Sequence, residues 1–184
     1  MAGDSDLGHF TPVLTRSRFP RIPWTSGSPA CALRSSWRIR SRAVKTPDLI
    51  RHVEIRATPD RVWQILSDVE RWHEWTASIS RVNLYTGSPL EVGSRAIVKQ
   101  PRFPAAQWLV TDVEPGRGFV WVSIGPGLTV TARHEIEPLP HGCRVTLSLE
   151  YAGLLSGLVL RLTRGITTRY VELEAEGLKA RSER

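Results

Sequence analysis

The stretch LTVTARHEIEP, Leu128 to Pro138, sets a histidine among aliphatic residues. With the two-residue period of a strand, Leu128, Val130, Ala132, His134 and Ile136 share one face, while Thr129, Thr131, Arg133, Glu135 and Glu137 share the other. An imidazole on an apolar face has two uses. Satisfied by protein partners, it is an ordinary core histidine, because buried polar groups normally find hydrogen bonds. Facing a cavity, it donates to or accepts from a ligand carbonyl, or serves as a general base near neutral pH. Both uses fit the alternation.

Other residues on apolar faces divide the same way. Tyr151 continues the face of Val145, Leu147 and Leu149, so its hydroxyl belongs either to a pocket mouth or to the edge of a core. Trp108 with Val110, and Phe119 with Trp121, fall on neighbouring strands, where rings of that size gain most by facing inward. The candidate ligand-binding set is therefore Trp108, Trp121, Val130, Ala132, His134, Leu149 and Tyr151, with His134 as the candidate catalytic group. Trp72 and Trp75, three apart, are expected to staple a short helix to the sheet rather than meet a ligand.

Carboxylates add little to this set. Strict alternation places Asp112 with Trp108 and Val110, but next to the EPGR turn, where water reaches it. Glu172, Glu174 and Glu176 fall on a terminal helix whose polar side is expected to be solvated. The five histidines are scattered, His73 and His141 at helix and turn positions, so no metal site is expected. A serine elbow and a glycine-rich phosphate loop are both missing, which argues against a nucleotide or other cofactor.

The elements that must position these residues begin at Pro47. LIRHVEIRA reads as a strand; Thr58 as N-cap and Pro59 at the first helical position then open the short helix PDRVWQILSD. VERWHEW forms a second short helix. Six strand-like runs follow (ISRVNLY, SRAIVKQ, AQWLVTDV, GFVWVSI, LTVTARHEIE and CRVTLSLEY), joined by connections short enough to make neighbours antiparallel. A helix from about Leu154 to Lys179 closes the chain, with Leu155, Leu158, Val159, Leu162, Ile166, Tyr170 and Leu173 recurring at three- and four-residue spacing. Seven antiparallel strands make a strongly curved sheet, and a single long helix is available to cover its concave side. Such a helix rarely fills the concavity, so an apolar pocket between the two is expected.

Charge is unevenly distributed. Residues 1–46 carry eight Lys or Arg against Asp4 and Asp6, whereas residues 47–184 carry 17 basic and 16 acidic side chains. The formal +7 of the chain thus sits almost wholly in the tail, and no basic face for a nucleic-acid partner is expected on the domain. The tail lacks sustained periodicity and is broken by Pro12, Pro20, Pro23 and Pro29, so it is expected to be disordered. Met1 is the sole methionine, which fits a true start further along, for example a valine-coded one at Val44. If the tail is genuinely translated, it is the one place where a nucleic acid or membrane surface would be bound. Cys31 and Cys143 make no disulfide framework and suit a reducing cytoplasm. The apolar run GLLSGLVL is too short for an integral membrane segment.

The pieces ATPDRVWQILSDVERWHEW, VGSRAIVKQP, VTDVEPGRGFVW, HGCRVTLSLEYAG and the terminal GLK, taken in order from Asp48 to Glu183, resemble the SRPBCC superfamily of START-like helix-grip proteins. Polyketide cyclase/dehydrase-type members are the most similar in flavour. WHEWTASI lacks the proline often found after the second tryptophan, and Cys143 stands where threonine is common. The resemblance implies an α+β fold in which a curved seven-stranded sheet wraps a long C-terminal helix, with two short helices after the first strand. It also implies a cavity for a hydrophobic or amphipathic partner such as a lipid, a sterol-like ring or a polyketide. Some such proteins catalyse cyclisation or dehydration, and many only bind. Two functions are therefore carried forward: binding of a hydrophobic small molecule, and a cofactor-free cyclase or dehydratase with His134 as base and Tyr151 or a water as acid.

Overall fold

A computed structural model describes residues 46–85 and 89–184. The expected disorder of the tail, with Cys31 and Val44, lies outside the described residues. So does part of the connection before Leu90. The chain runs β1 (Leu49–Ile55), α1 (Pro59–Ser67), a 3₁₀ helix (Val69–Glu74), β2 (Arg81–Leu84), β3 (Arg95–Lys99), β4 (Ala106–Glu114), β5 (Gly118–Gly125), β6 (Leu128–Leu139), β7 (Gly142–Ala152) and α2 (Ser156–Ser182). All seven strands form one antiparallel sheet in the order β1-β7-β6-β5-β4-β3-β2. This is the helix-grip arrangement expected from the element order.

Local chemistry explains the short helices. The Thr58 hydroxyl accepts from the Arg61 amide at 3.3 Å, and Pro59 needs no amide partner at the first helical position. At the other end of α1 the Leu66 carbonyl accepts from Trp72 Nε1 at 2.9 Å. Trp72 therefore satisfies an orphan helix-end carbonyl while its ring is fully buried beside Val62, Leu66 and Val69.

Pairing sets two rows of side chains across the concave face. Val110, Trp121, Ala132, Leu149 and Leu49 make one, and Val113, Phe119, His134, Leu147 and Arg51 the other. The strict alternation expected for β4 fails between Val110 and Asp112. Val110 pairs with Trp121 and Asp112 with Val120, so Thr111 is an extra residue in a β-bulge. Asp112 consequently turns outward with Val120, and Val113 takes the inward place opposite Phe119. Asp112 does not share a face with Trp108 and Val110. Gly118 starts β5 at φ 145°, and a Cβ there would lie 1.9 Å from the carbonyl oxygen of His134, so only glycine lets the two strands close.

The helix departs from expectation in which side it buries. The inward residues of α2 are Thr167, Tyr170, Val171, Ala175, Leu178 and Ser182. From the expected stripe, Leu158 and Leu162 are 58% and 74% exposed, and Leu154 just before the helix is 98% exposed. Three- and four-residue spacing is met by two adjacent stripes that share Tyr170, and the sheet grips the one that continues through Val171, Ala175 and Leu178. Among the described residues no helix is long and apolar enough to cross a membrane.

Candidate functional site

A cavity of about 240 Å³ lies between the concave face and α2. Trp108 of β4 and Trp121 of β5 line it, together with Val130, Ala132 and His134 of β6 and Leu149 and Tyr151 of β7. The strand register thus brings all seven residues picked from the sequence into one wall. The opposite wall is α2, through Val159, Thr163, Thr167, Tyr170, Val171 and Glu174. Phe103 and Pro104, in the connection between β3 and β4, form a flank. That connection is held by Lys99 Nζ, which donates to the Phe103 carbonyl at 2.6 Å, and by the Arg102 amide, which donates to the Tyr170 hydroxyl at 3.3 Å.

The inner end is aromatic. Trp121 lies 5.2 Å from Trp108, 5.4 Å from Trp72 and 5.3 Å from Phe119, centroid to centroid. Such tilted and edge-on pairs add to area burial. Trp72 combines the expected stapling role with a place in the cavity wall.

His134 sits within this cluster. Its ring stacks on Phe119 at 4.4 Å and 13°, and meets Trp72 and Trp121 edge-on at 5.4 and 5.8 Å. The residue is 4% exposed, and its Nδ1 has no hydrogen-bond partner among the described residues. Burial among rings pushes its pKa down from 6.5 to about 3, opposed to a lesser extent by the backbone of Phe119. The imidazole is neutral at physiological pH. Lowered basicity of this size makes an imidazole a weak base near pH 7.

Glu174 corrects the expectation of a solvated carboxylate. It lies in the α2 wall, and Ser78 Oγ, fully buried, donates to its Oε1 at 2.9 Å. Ser78 has one hydroxyl proton and gives it to Glu174, so Thr76 Oγ1, 2.9 Å from Ser78 Oγ, must donate to Ser78. Thr76 in turn accepts from the Ser78 amide at 3.3 Å. Burial raises the Glu174 pKa from 4.5 to about 7, the Ser78 hydrogen bond acts the other way, and among the described residues no charged neighbour contributes. The sequence signal was present: Glu174 falls four residues after Tyr170 and four before Leu178, on the stripe that the sheet grips.

A curved antiparallel sheet closed by a C-terminal helix over an aromatic cavity defines the helix-grip class of fold. The chain belongs to the polyketide cyclase/dehydrase and lipid transport family, whose model matches residues 46–183. Comparison with curated proteins finds no match. Among solved structures, a hypothetical protein from Helicobacter pylori is similar at TM-score 0.63 and 16% identity, over 72% of this chain and 86% of that one. The di-domain ARO/CYC StfQ from the steffimycin biosynthetic pathway gives TM-score 0.60 at 14% identity, over 73% of this chain and 50% of that one. A norcoclaurine synthase point mutant from Thalictrum flavum, in complex with a transition-state analogue, gives 0.58 at 14% identity, over 73% and 92%. At these identities the structural likeness carries the fold.

Proposed function

We propose that this protein binds a compact, ring-bearing hydrophobic small molecule in the cavity between sheet and α2. The observation that carries this is a 240 Å³ space walled by tryptophans, into whose lining two polar groups without a full set of partners are built, His134 and Glu174. An engineered apolar cavity of about 150 Å³ accepts a benzene ring, so this one suits a molecule of roughly two fused rings better than a long acyl chain. Tryptophan quenching on titration with naphthalene-sized compounds tests it. Saturable one-to-one quenching, weakened by narrowing the cavity with Ala132→Leu, is expected; quenching that Ala132→Leu leaves unchanged would overturn the assignment.

A second reading, cofactor-free acid–base catalysis of a cyclisation or dehydration, is favoured by Glu174 rather than His134. A carboxyl with a pKa of about 7 is matched to proton transfer at neutral pH, and an imidazole at about 3 is not. Once a substrate is identified, Glu174→Gln is expected to lose turnover about a hundredfold or more while His134→Leu chiefly weakens binding. The reverse order of effects would restore His134 as the base.

A further inference from the structure

The chain of hydroxyls at the cavity wall has a direction. The Ser78 amide donates to Thr76 Oγ1, Thr76 donates to Ser78 Oγ, and Ser78 donates to Glu174 Oε1. Every donor is aimed toward the carboxyl, an arrangement that stabilises an anion and that cooperativity along the chain strengthens. Yet among the described residues no basic side chain answers it, and a half-buried carboxylate without a counter-ion is costly. The groups sharing the lining confirm the gap. His134 of β6 is neutral, Tyr151 of β7 and Tyr170 of α2 are phenols, and the connection between β3 and β4 contributes Gln100, Phe103 and Pro104. Arg133 borders the cavity from β6, but strand alternation turns its side chain to the side opposite Ala132 and His134.

What the protein does not supply, a ligand can. The same lining offers tryptophan rings, and aromatic walls around a carboxylate make a favourable site for an ammonium group through cation–π attraction and ion pairing. Resting on the cavity reading above, we infer that the site selects compact aromatic amines, with Glu174 as counter-ion to the ligand's ammonium group and Ser78 as the residue that holds the carboxylate in place.

The test uses the full chain and three matched probes, methylnaphthalene, naphthylmethanol and aminomethylnaphthalene, titrated calorimetrically. At about pH 8 the amine is expected to bind at least about tenfold more tightly than the alcohol, a preference that shrinks as pH falls through neutrality and is absent in Glu174→Gln. Ser78→Ala should reduce the preference without removing it. An amine no tighter than the alcohol, or a preference that survives Glu174→Gln, would overturn the inference while leaving the cavity reading intact. Failure of all three probes to bind would overturn the cavity reading and this inference with it. The wild type gives an independent check that needs no variant. Near neutral pH, amine binding should release protons from Glu174, seen as an enthalpy that depends on the buffer's heat of ionisation, and the alcohol should not; equal buffer dependence for both would count against the assignment.

Discussion

The two halves of α2 obey different rules. From Thr167 to Ser182 the helix is clamped. Lys179 Nζ donates to the Glu54 carbonyl at 2.7 Å, the Arg56 amide donates to Glu183 Oε1 at 2.9 Å, Arg181 pairs with Glu74 at 3.2 Å, and Gly177 lies against the backbone of Trp75. From Ser156 to about Thr163 the helix is held more lightly, tied at its start by the Leu155 amide donating to the Gly127 carbonyl at 2.9 Å, with Leu158 and Leu162 in water while Val159 and Thr163 line the cavity. The cavity sits where one regime gives way to the other. One end of a single helix supplies anchorage, and the other borders the cavity.

The sharpest way to break this contrast is to attack the clamp. At Gly177 a Cβ would lie 2.1 Å from the Trp75 carbonyl oxygen, so Gly177→Val should cost about 3 kcal/mol or more and lower the urea midpoint accordingly. Trp72→Ala, which removes a fully buried ring and the donor to Leu66, is expected to cost a similar ~3–5 kcal/mol. A Gly177→Val protein stable to within about 1 kcal/mol of wild type would show that α2 is not clamped there.

Effects of intermediate size belong to the cavity between the halves. The Glu174 carboxyl is raised in the fold from 4.5 to about 7, so its contribution is fully present below pH 4.5 and lost as pH rises through 7. The His134 imidazole is lowered from 6.5 to about 3, so its contribution is full above pH 6.5 and lost as pH falls toward 3. Between pH 4.5 and 6.5 the two slopes, each about 1.4 kcal/mol per pH unit, oppose one another. Wild-type stability should therefore be nearly flat across that window, Glu174→Gln should lose stability on acidification, and His134→Leu should gain it. Denaturant midpoints of the three proteins at several pH values check the signs.

Smaller effects sharpen the contrast from the open side. A Cβ at Gly157 or Gly165 meets nothing within 4 Å, so Gly157→Ala and Gly165→Ala should each stabilise the protein by about 0.5–1 kcal/mol through helix propensity alone. Leu158→Ser should change stability by no more than about 0.5 kcal/mol, because its side chain is already in water. A loss of 2 kcal/mol there would show the open half to be packed after all.

Much of the fold was legible because each signal was local. Thr58 and Pro59 start α1, short Gly- and Pro-bearing connections enforce antiparallel pairing, and alternation in β5 to β7 sends Phe119, Trp121, His134 and Tyr151 inward. The stripe on α2 was read one step around the helix, Tyr170 being common to both, because spacing reports which residues share a side and not which side the sheet meets. Thr163, Thr167 and Glu174 were missed because polar residues on a terminal helix are normally solvated, and only the cavity gives them another neighbour. Asp112 was misplaced because a bulge leaves no mark in hydrophobic alternation until the partner strand is known.

That bulge has a bearing on chain length. Without Thr111, the sequence Val110, Asp112, Val113 alternates simply, inward, outward, inward, against Trp121, Val120 and Phe119. Where no bulge is available to absorb it, removing one strand residue exchanges the two sides of everything beyond it. Thr111 thus adds local bend and twist to the strand that carries Trp108 without altering which residues look inward, and it marks the position where this strand can be shortened by one residue and still present the same wall.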